Sequence, residues 1–169
     1  MRQIQWNEQV DTLKDALNGN GVFLVALDNN GHANPMTIGW AQVGIVWSMP
    51  TLTVLVRKSR YTYSCLLEGP DFTVNVPARG RLGEELLLCG TKSGRDVDKA
   101  VACSLTMEQA QIVATPIIAE CHVHYECKIV LRKELSARDF SAPTILKKYY
   151  EGGDHHMIVI GEIVAAYTT

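Results

Sequence analysis

The spacing of apolar and polar side chains predicts a chain built mainly from short strands. Alternating or compact apolar runs bounded by Gly, Pro, Asn and Asp are typical of strands. Such runs occupy Val22–Leu27, Met36–Trp47, Leu52–Arg57, Asp71–Val76, Ala119–Leu135 and Met157–Tyr167. Gly39 and Gly44 interrupt the second run and predict bends or bulges there.

Three other segments have helical spacing. In Glu8–Leu17 the apolar residues recur every three or four positions, and the turn-forming Asn18–Gly21 ends the helix. Tyr61–Leu67 and Leu82–Leu88 are the other two predicted helices. Six or more strands with bends and a few short helices predict a mainly β fold, a closed or partly closed β-barrel with peripheral helices.

Length and composition predict one globular domain over residues 1–169. Apolar residues make up 47% and charged residues 20% of the chain, which is typical of a folded protein. The net charge of −2 gives no basic surface for nucleic acid. The N-terminal segment lacks the apolar core of a signal peptide, and no run is long enough to cross a bilayer. We therefore expect a cytoplasmic protein with no nucleic-acid or membrane partner.

The five cysteines do not predict a disulfide framework or a metal site. Their odd number and scattered positions fit reduced, buried thiols. Cys121, His122, His124 and Cys127 cluster in the sequence, which raises the question of zinc. In an extended strand, however, the two cysteines and the two histidines point to opposite faces. No metal ligands are therefore expected.

The segment CGTKSGRDVDKA, Cys89–Ala100, combines glycines with three cationic side chains. It could be a loop that holds a phosphate, or an ordinary connection with solvated charge. Gly90-Thr91-Lys92-Ser93 differs from a P-loop, because the lysine does not directly follow a glycine and no strand leads into the segment. There is also no G-x-G-x-x-G after a strand, so a Rossmann site is not indicated.

A second candidate anion site lies at the start of the helix predicted from Tyr61. Ser59 and Thr62 stand at its N-terminus, flanked by Arg57, Lys58 and Arg60. Free N–H groups and basic side chains at a helix N-terminus favour phosphate. Alternatively, Ser59 is a simple N-cap with exposed basic neighbours. The residues alone leave both interpretations open.

Five motifs in this order resemble the flavin reductase-like, FMN-binding split-barrel family, and most nearly its flavoredoxin branch. They are NPMTIGW, PTLTVLVRKSRYT, FTVNVP, CGTKSGRDVDK and HMIVIGEIV, within Val22–Tyr167. The resemblance implies a homodimeric split β-barrel that binds FMN non-covalently near the dimer interface.

By their positions in these motifs, ten residues are expected to contact FMN: Asn34, Met36, Thr37, Ser59, Arg60, Thr62, Asn75, Lys92, Ser93 and Arg95. The first three match the segment along the isoalloxazine ring, and the next three match the phosphate side. Asn75 either reaches the ribityl chain or structures the barrel. The last three belong to a loop expected to close over the flavin.

Other residues of that loop are interpreted as structural. Asp98 is expected to pair with Arg95 or Lys99 and to shape the loop, while Lys99 is taken as surface charge. Cys89 is expected to be a small buried hydrophobe without special reactivity.

His156 precedes the last strand, where relatives often carry a histidine, and is the expected catalytic residue. It would contact the nicotinamide or the flavin edge. His155 stands where relatives often have Asp, so an Asp–His pair is not assumed, and two turn histidines remain the alternative. Trp40 could pack on the flavin ring, but a strand tryptophan belongs more often to the core, which we favour.

The expected function is an NAD(P)H-dependent flavin reductase. NADH or NADPH would pass electrons through FMN to free flavin, ferric complexes or a protein acceptor. The alternative is an FMN-containing electron-transfer protein without significant NAD(P)H reactivity, serving a redox partner protein. A third interpretation is a split-barrel ligand-binding protein with no redox role.

Overall fold

The computed structural model describes residues 1–169 as one large antiparallel sheet and a small two-stranded sheet, with helices around them. The strands are β1 (Arg2–Gln3), β2 (Val22–Leu27), β3 (Ala33–Ile38), β4 (Ala41–Val46), β5 (Met49–Arg57), β6 (Asp71–Val76), β7 (Met107–Glu108), β8 (Ile117–Ile118), β9 (Val123–Glu134) and β10 (His156–Thr168). The helices are α1 (Val10–Asn18), α2 (Tyr61–Glu68), α3 (Gly83–Thr91), α4 (Lys99–Ala102) and α5 (Pro143–Tyr149), with a 3-10 turn at Ala137–Asp139. None of these helices has the length and apolar character needed to cross a bilayer.

The sheet curls back on itself because its two edge strands follow each other in the chain. Its order is β3-β2-β6-β9-β10-β5-β4, and β1 pairs with the end of β10. β3 and β4 stand at opposite ends of this order, yet only Gly39 and Trp40 separate them. A sheet whose ends are joined by so short a connection curls into a barrel that is open where the edge strands diverge. The predicted mainly β split barrel with short peripheral helices is confirmed.

Alternate residues of the strands fill the barrel interior. On β6, Phe72, Val74 and Val76 are fully buried and belong to the main core, as the alternating pattern predicts. Gly161 makes room for this core, because a Cβ there would lie 2.7 Å from the Phe72 ring and 2.8 Å from the Cβ of Cys127. The pairing of β10 with β9 shifts register at this glycine, which places a bulge where the strand bends.

Polar side chains on the opposite face of β6 and β9 hold the segment that follows β7. Glu126 is fully buried, and its carboxylate accepts hydrogen bonds from the backbone N–H groups of residues 111–113 at 2.7 to 3.0 Å. Tyr167 donates a further hydrogen bond of 2.7 Å to the same carboxylate. Asp71 accepts from the next two backbone N–H groups at 3.2 and 3.1 Å. Two buried carboxylates therefore fix a segment that has no regular structure of its own.

The predicted elements agree with the structure except in a few places. Met36–Trp47 forms parts of two strands instead of one, and the chain bends at Gly39 as expected. The bend predicted at Gly44 is wrong, because β4 pairs continuously with β5 through that residue. Helix α3 continues to Thr91, so the expected loop Cys89–Ala100 begins inside a helix and ends in α4. The short strands β1, β7 and β8 and the helices α4 and α5 were not predicted.

Candidate functional site

A groove of about 270 Å³, here called the β3 groove, lies where the chain passes from one edge strand to the other. It is lined by Met36, Thr37, Ile38, Gly39, Trp40, Leu55, Arg57, Arg60, Gly90 and His156. The outer backbone groups of β3 have no strand partner, because β3 is an edge strand, and they remain available to a ligand. Four predicted site residues thus surround one cavity.

Thr37 and Met36 hold β3 in place beside this groove. The Thr37 hydroxyl donates a hydrogen bond of 2.6 Å to the carbonyl oxygen of Leu86, which ties β3 to α3. Its proton is therefore engaged, and the donors that β3 offers to a ligand are backbone N–H groups. Met36 is buried, with 4% of its surface exposed, and packs in the main core while contributing to the groove wall.

Trp40 lines the groove instead of the core. Its side chain is 42% exposed, so the interpretation as a core residue is wrong. The ring centroid lies 5.1 Å from that of Tyr149, edge to face, and 5.1 Å from that of His156. The physical reason is its position in the connection between the two edge strands, at the barrel opening.

His156 is the histidine that reaches the groove. It pairs with Arg57 at the start of β10 and is buried, with its Nδ1 atom 2.8 Å from the hydroxyl oxygen of Tyr150. Burial, and after it the charge of Arg57, lower the pKa of His156 to about 4. His155 instead stacks on the Tyr150 ring, with centroids 5.0 Å apart. The two neighbouring histidines therefore have different surroundings.

A smaller cavity of about 130 Å³, here called the Lys99 cavity, adjoins the β3 groove at Arg60, which lines both. Its walls are formed by Ser59, Arg60, Tyr61, Thr62, Thr91, Lys92, Ser93, Gly94 and Lys99. These include three cationic side chains and no carboxylate. The two candidate anion segments of the sequence thus meet at one cavity.

Lys99, interpreted from the sequence as surface charge, is buried with 3% of its surface exposed. Its ammonium group forms no hydrogen bond and no ion pair with the rest of the chain. Burial, with a smaller contribution from the neighbouring charge of Arg60, lowers the pKa of Lys99 to about 8. Asp98 does not pair with it but caps α4, accepting from the Val101 N–H at 3.1 Å, so the predicted Asp98 pairings are wrong. A buried cation without a partner is costly unless a ligand neutralises it.

Thr62 offers a hydrogen-bond donor to the same cavity. It is buried, and its hydroxyl oxygen accepts a hydrogen bond of 2.7 Å from the side-chain amide of Asn34. The hydroxyl proton itself has no acceptor in the chain. In addition, no side chain caps the N-terminus of α2, which begins at Tyr61. Helix N–H groups and a hydroxyl are therefore free to bind an anion.

Ser59 is already engaged within the protein. Its hydroxyl donates to a carboxylate oxygen of Asp154 at 2.7 Å, and its backbone N–H donates to the other at 3.1 Å. The N-cap position of α2 belongs to Arg60, so the alternative of Ser59 as N-cap is wrong. Ser59 lines the cavity, but its hydroxyl proton is directed to Asp154.

Arg60 joins the two cavities. One guanidinium nitrogen donates to the carbonyl oxygens of Gly90 and Cys89, at 2.8 and 3.4 Å, near the C-terminus of α3. The remaining N–H groups of Arg60 have no acceptor in the chain. Cys89 is fully buried, as predicted, and contributes to this contact only through its backbone.

The loop between α3 and α4, residues 92–98, closes one side of the Lys99 cavity. Gly94 packs so tightly that a Cβ would lie 2.1 Å from the Asn34 side-chain oxygen and 2.7 Å from the Tyr61 ring. Lys92 and Ser93 line the cavity, as expected of a closing loop. Arg95 does not; its guanidinium lies over the Tyr61 ring at 5.2 Å and borders a separate cavity of about 280 Å³ with Asn34.

Asn75 lies away from both cavities. It is fully buried on the outer face of β6, and its oxygen accepts from the Ile118 N–H at 3.1 Å and contacts Nδ1 of His124 at 2.8 Å. Its amide nitrogen donates to the hydroxyl of Thr73. The assignment of Asn75 as a cofactor contact is therefore replaced by the structural alternative, because every polar atom of its side chain is engaged inside the protein.

Comparison with known proteins places this geometry in a family. A family model described as a flavin reductase-like domain matches residues 17–169. An uncharacterised protein of Archaeoglobus fulgidus is 34% identical over 131 residues, covering 78% of this chain and 63% of that protein. The chain thus spans less than two thirds of the length of this relative.

Solved structures have the same fold. The flavoredoxin of Desulfovibrio vulgaris (Miyazaki F) matches with a TM-score of 0.69 and 23% identity, over 88% of this chain and 69% of that one. The flavoredoxin of Methanosarcina acetivorans matches with a TM-score of 0.65 and 30% identity, over 88% and 68%. An FMN-binding domain of a flavin reductase-like enzyme from Shewanella baltica OS155 matches with a TM-score of 0.66 and 20% identity, over 99% and 78%. With nine tenths of its length matched by the family model, this chain belongs to the flavin reductase-like family.

Proposed function

We propose that the protein binds FMN, with its ring in the β3 groove and its phosphate in the Lys99 cavity, and acts as an NAD(P)H-dependent flavin reductase. The observation that carries this proposal is the buried Lys99 side chain, whose ammonium forms no ion pair within the chain, on the wall of a cavity that adjoins a larger groove. The Shewanella relative is described as FMN-binding, which supports the same ligand.

A phosphate monoester satisfies the groups that the Lys99 cavity leaves free. The phosphate monoester carries a charge of about −1.5 to −2 at neutral pH and has three acceptor oxygens. Lys99 and Arg60 supply the compensating charge, while the Thr62 hydroxyl and the uncapped start of α2 supply neutral donors. Lys92, an exposed cation of the closing loop, would add to this charge.

The β3 groove suits a flat heteroaromatic ring with polar edges. Unpaired backbone groups of β3 face one side, and the exposed Trp40 ring borders another. FMN bound there would supply the redox chemistry, because its ring accepts a hydride and passes the electrons onward. The chain itself orients the ring, and Trp40 and His156 border the space in which a nicotinamide would approach it.

The absorption spectrum of the purified protein, followed by anaerobic titration with NADH and NADPH, tests this function. We expect a flavin spectrum that is retained through gel filtration or restored by added FMN, and that bleaches with reduced nicotinamide. A protein that takes up no FMN would contradict the proposal. FMN uptake with bleaching by a reduced partner protein, but not by NAD(P)H, would favour the electron-carrier alternative, which the two flavoredoxin structures among the matches support.

We also propose that the protein is a homodimer that associates through the β4–β5 hairpin. Ile45 and Trp47 are both 57% exposed at its tip, beside Val46 at 36%. Contiguous exposed apolar side chains on an edge strand typically mark an interaction site. A second copy of this chain, carrying the same hairpin, is the partner we infer.

A further inference from the structure

The contact between Tyr150 and His156 determines which nitrogen of the imidazole carries a proton. Tyr150 follows α5, and His156 begins β10, so the connecting turn folds one ring onto the other. The Tyr150 hydroxyl oxygen lies 2.8 Å from Nδ1 of His156, and the two rings meet edge to face with centroids 5.5 Å apart. Both side chains are buried, with 7% and 6% of their surface exposed.

Which of the two groups donates this hydrogen bond follows from the fact that the Tyr150 hydroxyl has no second partner. The Tyr150 hydroxyl has no hydrogen-bond partner other than Nδ1. If the imidazole donated, the phenol proton would be left buried without an acceptor, which costs about 1–3 kcal/mol. The phenol therefore donates and Nδ1 accepts, which places the imidazole proton on Nε2.

The surroundings also keep the imidazole neutral. Arg57, from the neighbouring strand β5, opposes a positive charge on His156 more strongly than Asp154 favours it, and His155 opposes it more weakly than either acts. Burial is the largest effect, and together these groups lower the pKa of His156 to about 4. Burial also raises the pKa of Tyr150, so the phenol keeps its proton. Trp40, the other ring against His156, carries no charge.

We propose that Tyr150 is a positioning residue that fixes His156 as a neutral imidazole protonated on Nε2, and that this N–H donates a hydrogen bond to a carbonyl oxygen of the ring bound in the β3 groove. His156 is then a fixed hydrogen-bond donor and not a proton donor to the reaction. This inference rests on the proposed function for the identity of the ligand, but the state of the imidazole does not depend on the ligand.

The state of the imidazole is tested by NMR on the protein without added flavin. Long-range ¹H–¹⁵N correlation of the ¹⁵N-histidine-labelled protein distinguishes protonated from unprotonated ring nitrogens, and the His156→Gln spectrum identifies the His156 signals. We expect Nδ1 unprotonated and Nε2 protonated, unchanged from about pH 8 to about pH 5.5, below the usual histidine range. Tyr150→Phe should shift both signals toward a mixture of the two neutral tautomers. Tyr149→Phe is the matched control, because the Tyr149 hydroxyl forms no hydrogen bond with His156.

A proton on Nδ1 in the wild type, or the same spectrum in Tyr150→Phe, would overturn the positioning role.

The donor role is tested by titrating FMN and riboflavin against His156→Gln and His156→Ala. The glutamine amide can replace the Nε2–H donor, so we expect affinities within about threefold of wild type for Gln and a loss of about five- to tenfold for Ala, the size of one neutral hydrogen bond. Equal losses for Gln and Ala would overturn the donor role. Failure of the wild type to bind either flavin would instead contradict the proposed function and leave the NMR result standing.

Discussion

The guanidinium of Arg60 donates a hydrogen bond of 2.8 Å to the carbonyl oxygen of Gly90, thirty residues further along the chain. This contact fastens the end of α3 to the start of α2, and Arg60 lies where the β3 groove and the Lys99 cavity adjoin. Arg60 therefore has two roles: it shapes the junction of the two cavities, and it contributes a positive charge to the Lys99 cavity.

Replacement of Arg60 by Ala is expected to weaken FMN binding more than riboflavin binding. Loss of a charge-assisted phosphate contact costs about 1.5–3 kcal/mol, whereas riboflavin loses only the packing that depends on Gly90. Fluorescence titration with both ligands measures the difference. Arg95→Ala is the matched control and should change FMN affinity by less than about threefold, roughly the scale of a surface charge, because Arg95 lies outside the cavity. Equal loss of both ligands in Arg60→Ala would contradict a phosphate role.

The lowered pKa of Lys99 leads us to expect that FMN affinity depends on pH in the alkaline range. In the free protein the pKa of Lys99 is lowered to about 8, and a bound phosphate would raise it again. Binding is then strongest below pH 8 and weakens by up to about tenfold per pH unit above it, since a proton must be taken up with the ligand. Isothermal titration in buffers of different ionisation enthalpy measures that proton uptake.

Two comparisons separate Lys99 from the flavin ring as the source of this dependence. Riboflavin, which has no phosphate, should show no proton uptake near pH 8. Lys99→Met preserves much of the side-chain volume and removes the charge, so FMN should bind weakly and without proton uptake there. Unchanged proton uptake in Lys99→Met would show that another group titrates.

The sequence pattern predicts strands well and misses what depends on distant parts of the chain. Alternation in Asp71–Val76 correctly separates Phe72, Val74 and Val76 from Thr73 and Asn75. It cannot show that the segment after β7 covers the outer face of β6, which is why Asn75 has a structural role. The sequence does not predict the bulge at Gly161 for the same reason, because its cause is the approach of Phe72 from another strand.

The candidate site was predicted in outline through motif resemblance, and its most informative residue was missed. Met36, Thr37, Arg60, Thr62 and His156 do line the two cavities, as do Ser59, Lys92 and Ser93. The sequence predicts Lys99 as surface charge, with Asp98 as a possible partner. In the structure Asp98 is used as a helix cap, so the acidic neighbour leaves the lysine unpaired. The one signal in the sequence that the Lys99 side chain is buried is the pair of apolar residues near it, Val97 and Ala100.

Replacement of Glu126 by Gln is expected to lower the free energy of unfolding by about 3 kcal/mol, because a buried carboxylate with several donors loses its charge and one acceptor. The glutamine amide would also oppose a backbone N–H group of residues 111–113. Urea unfolding measures the change. Glu162→Gln on β10 is the matched control and should cost under about 0.5 kcal/mol, since Glu162 forms no hydrogen bond through its side chain. A cost for Glu126→Gln no larger than the control would show that the carboxylate does not fix this segment.

The two buried histidines predict loss of stability in mild acid. Burial lowers the pKa of His124 and of His156 to about 4, from 6.5 in the unfolded chain. As pH falls from 6.5 toward 4, the unfolded state binds protons that the folded state does not, so stability decreases, by up to about 1.4 kcal/mol per pH unit for each histidine. Urea unfolding between these limits measures the slope. His156→Gln should reduce the dependence of the unfolding free energy on pH by the contribution of one histidine. An unchanged dependence would mean that His156 is protonated in the folded protein.

The proposed association of two copies through the β4–β5 hairpin can be tested at the tip of the hairpin. Trp47 and Ser48 form its turn with φ values of 51° and 61°, a left-handed conformation that non-glycine residues seldom adopt outside such turns. This turn keeps the Trp47 and Ile45 side chains at the tip, where only another molecule can cover them. Ile45→Lys places a charge in that contact and is expected to shift the protein from dimer to monomer in sedimentation velocity. Val101→Lys, at a more exposed apolar residue on α4, is the control and should leave the dimer intact. A dimer that persists in Ile45→Lys, or a monomeric wild type, would exclude the hairpin as the interface.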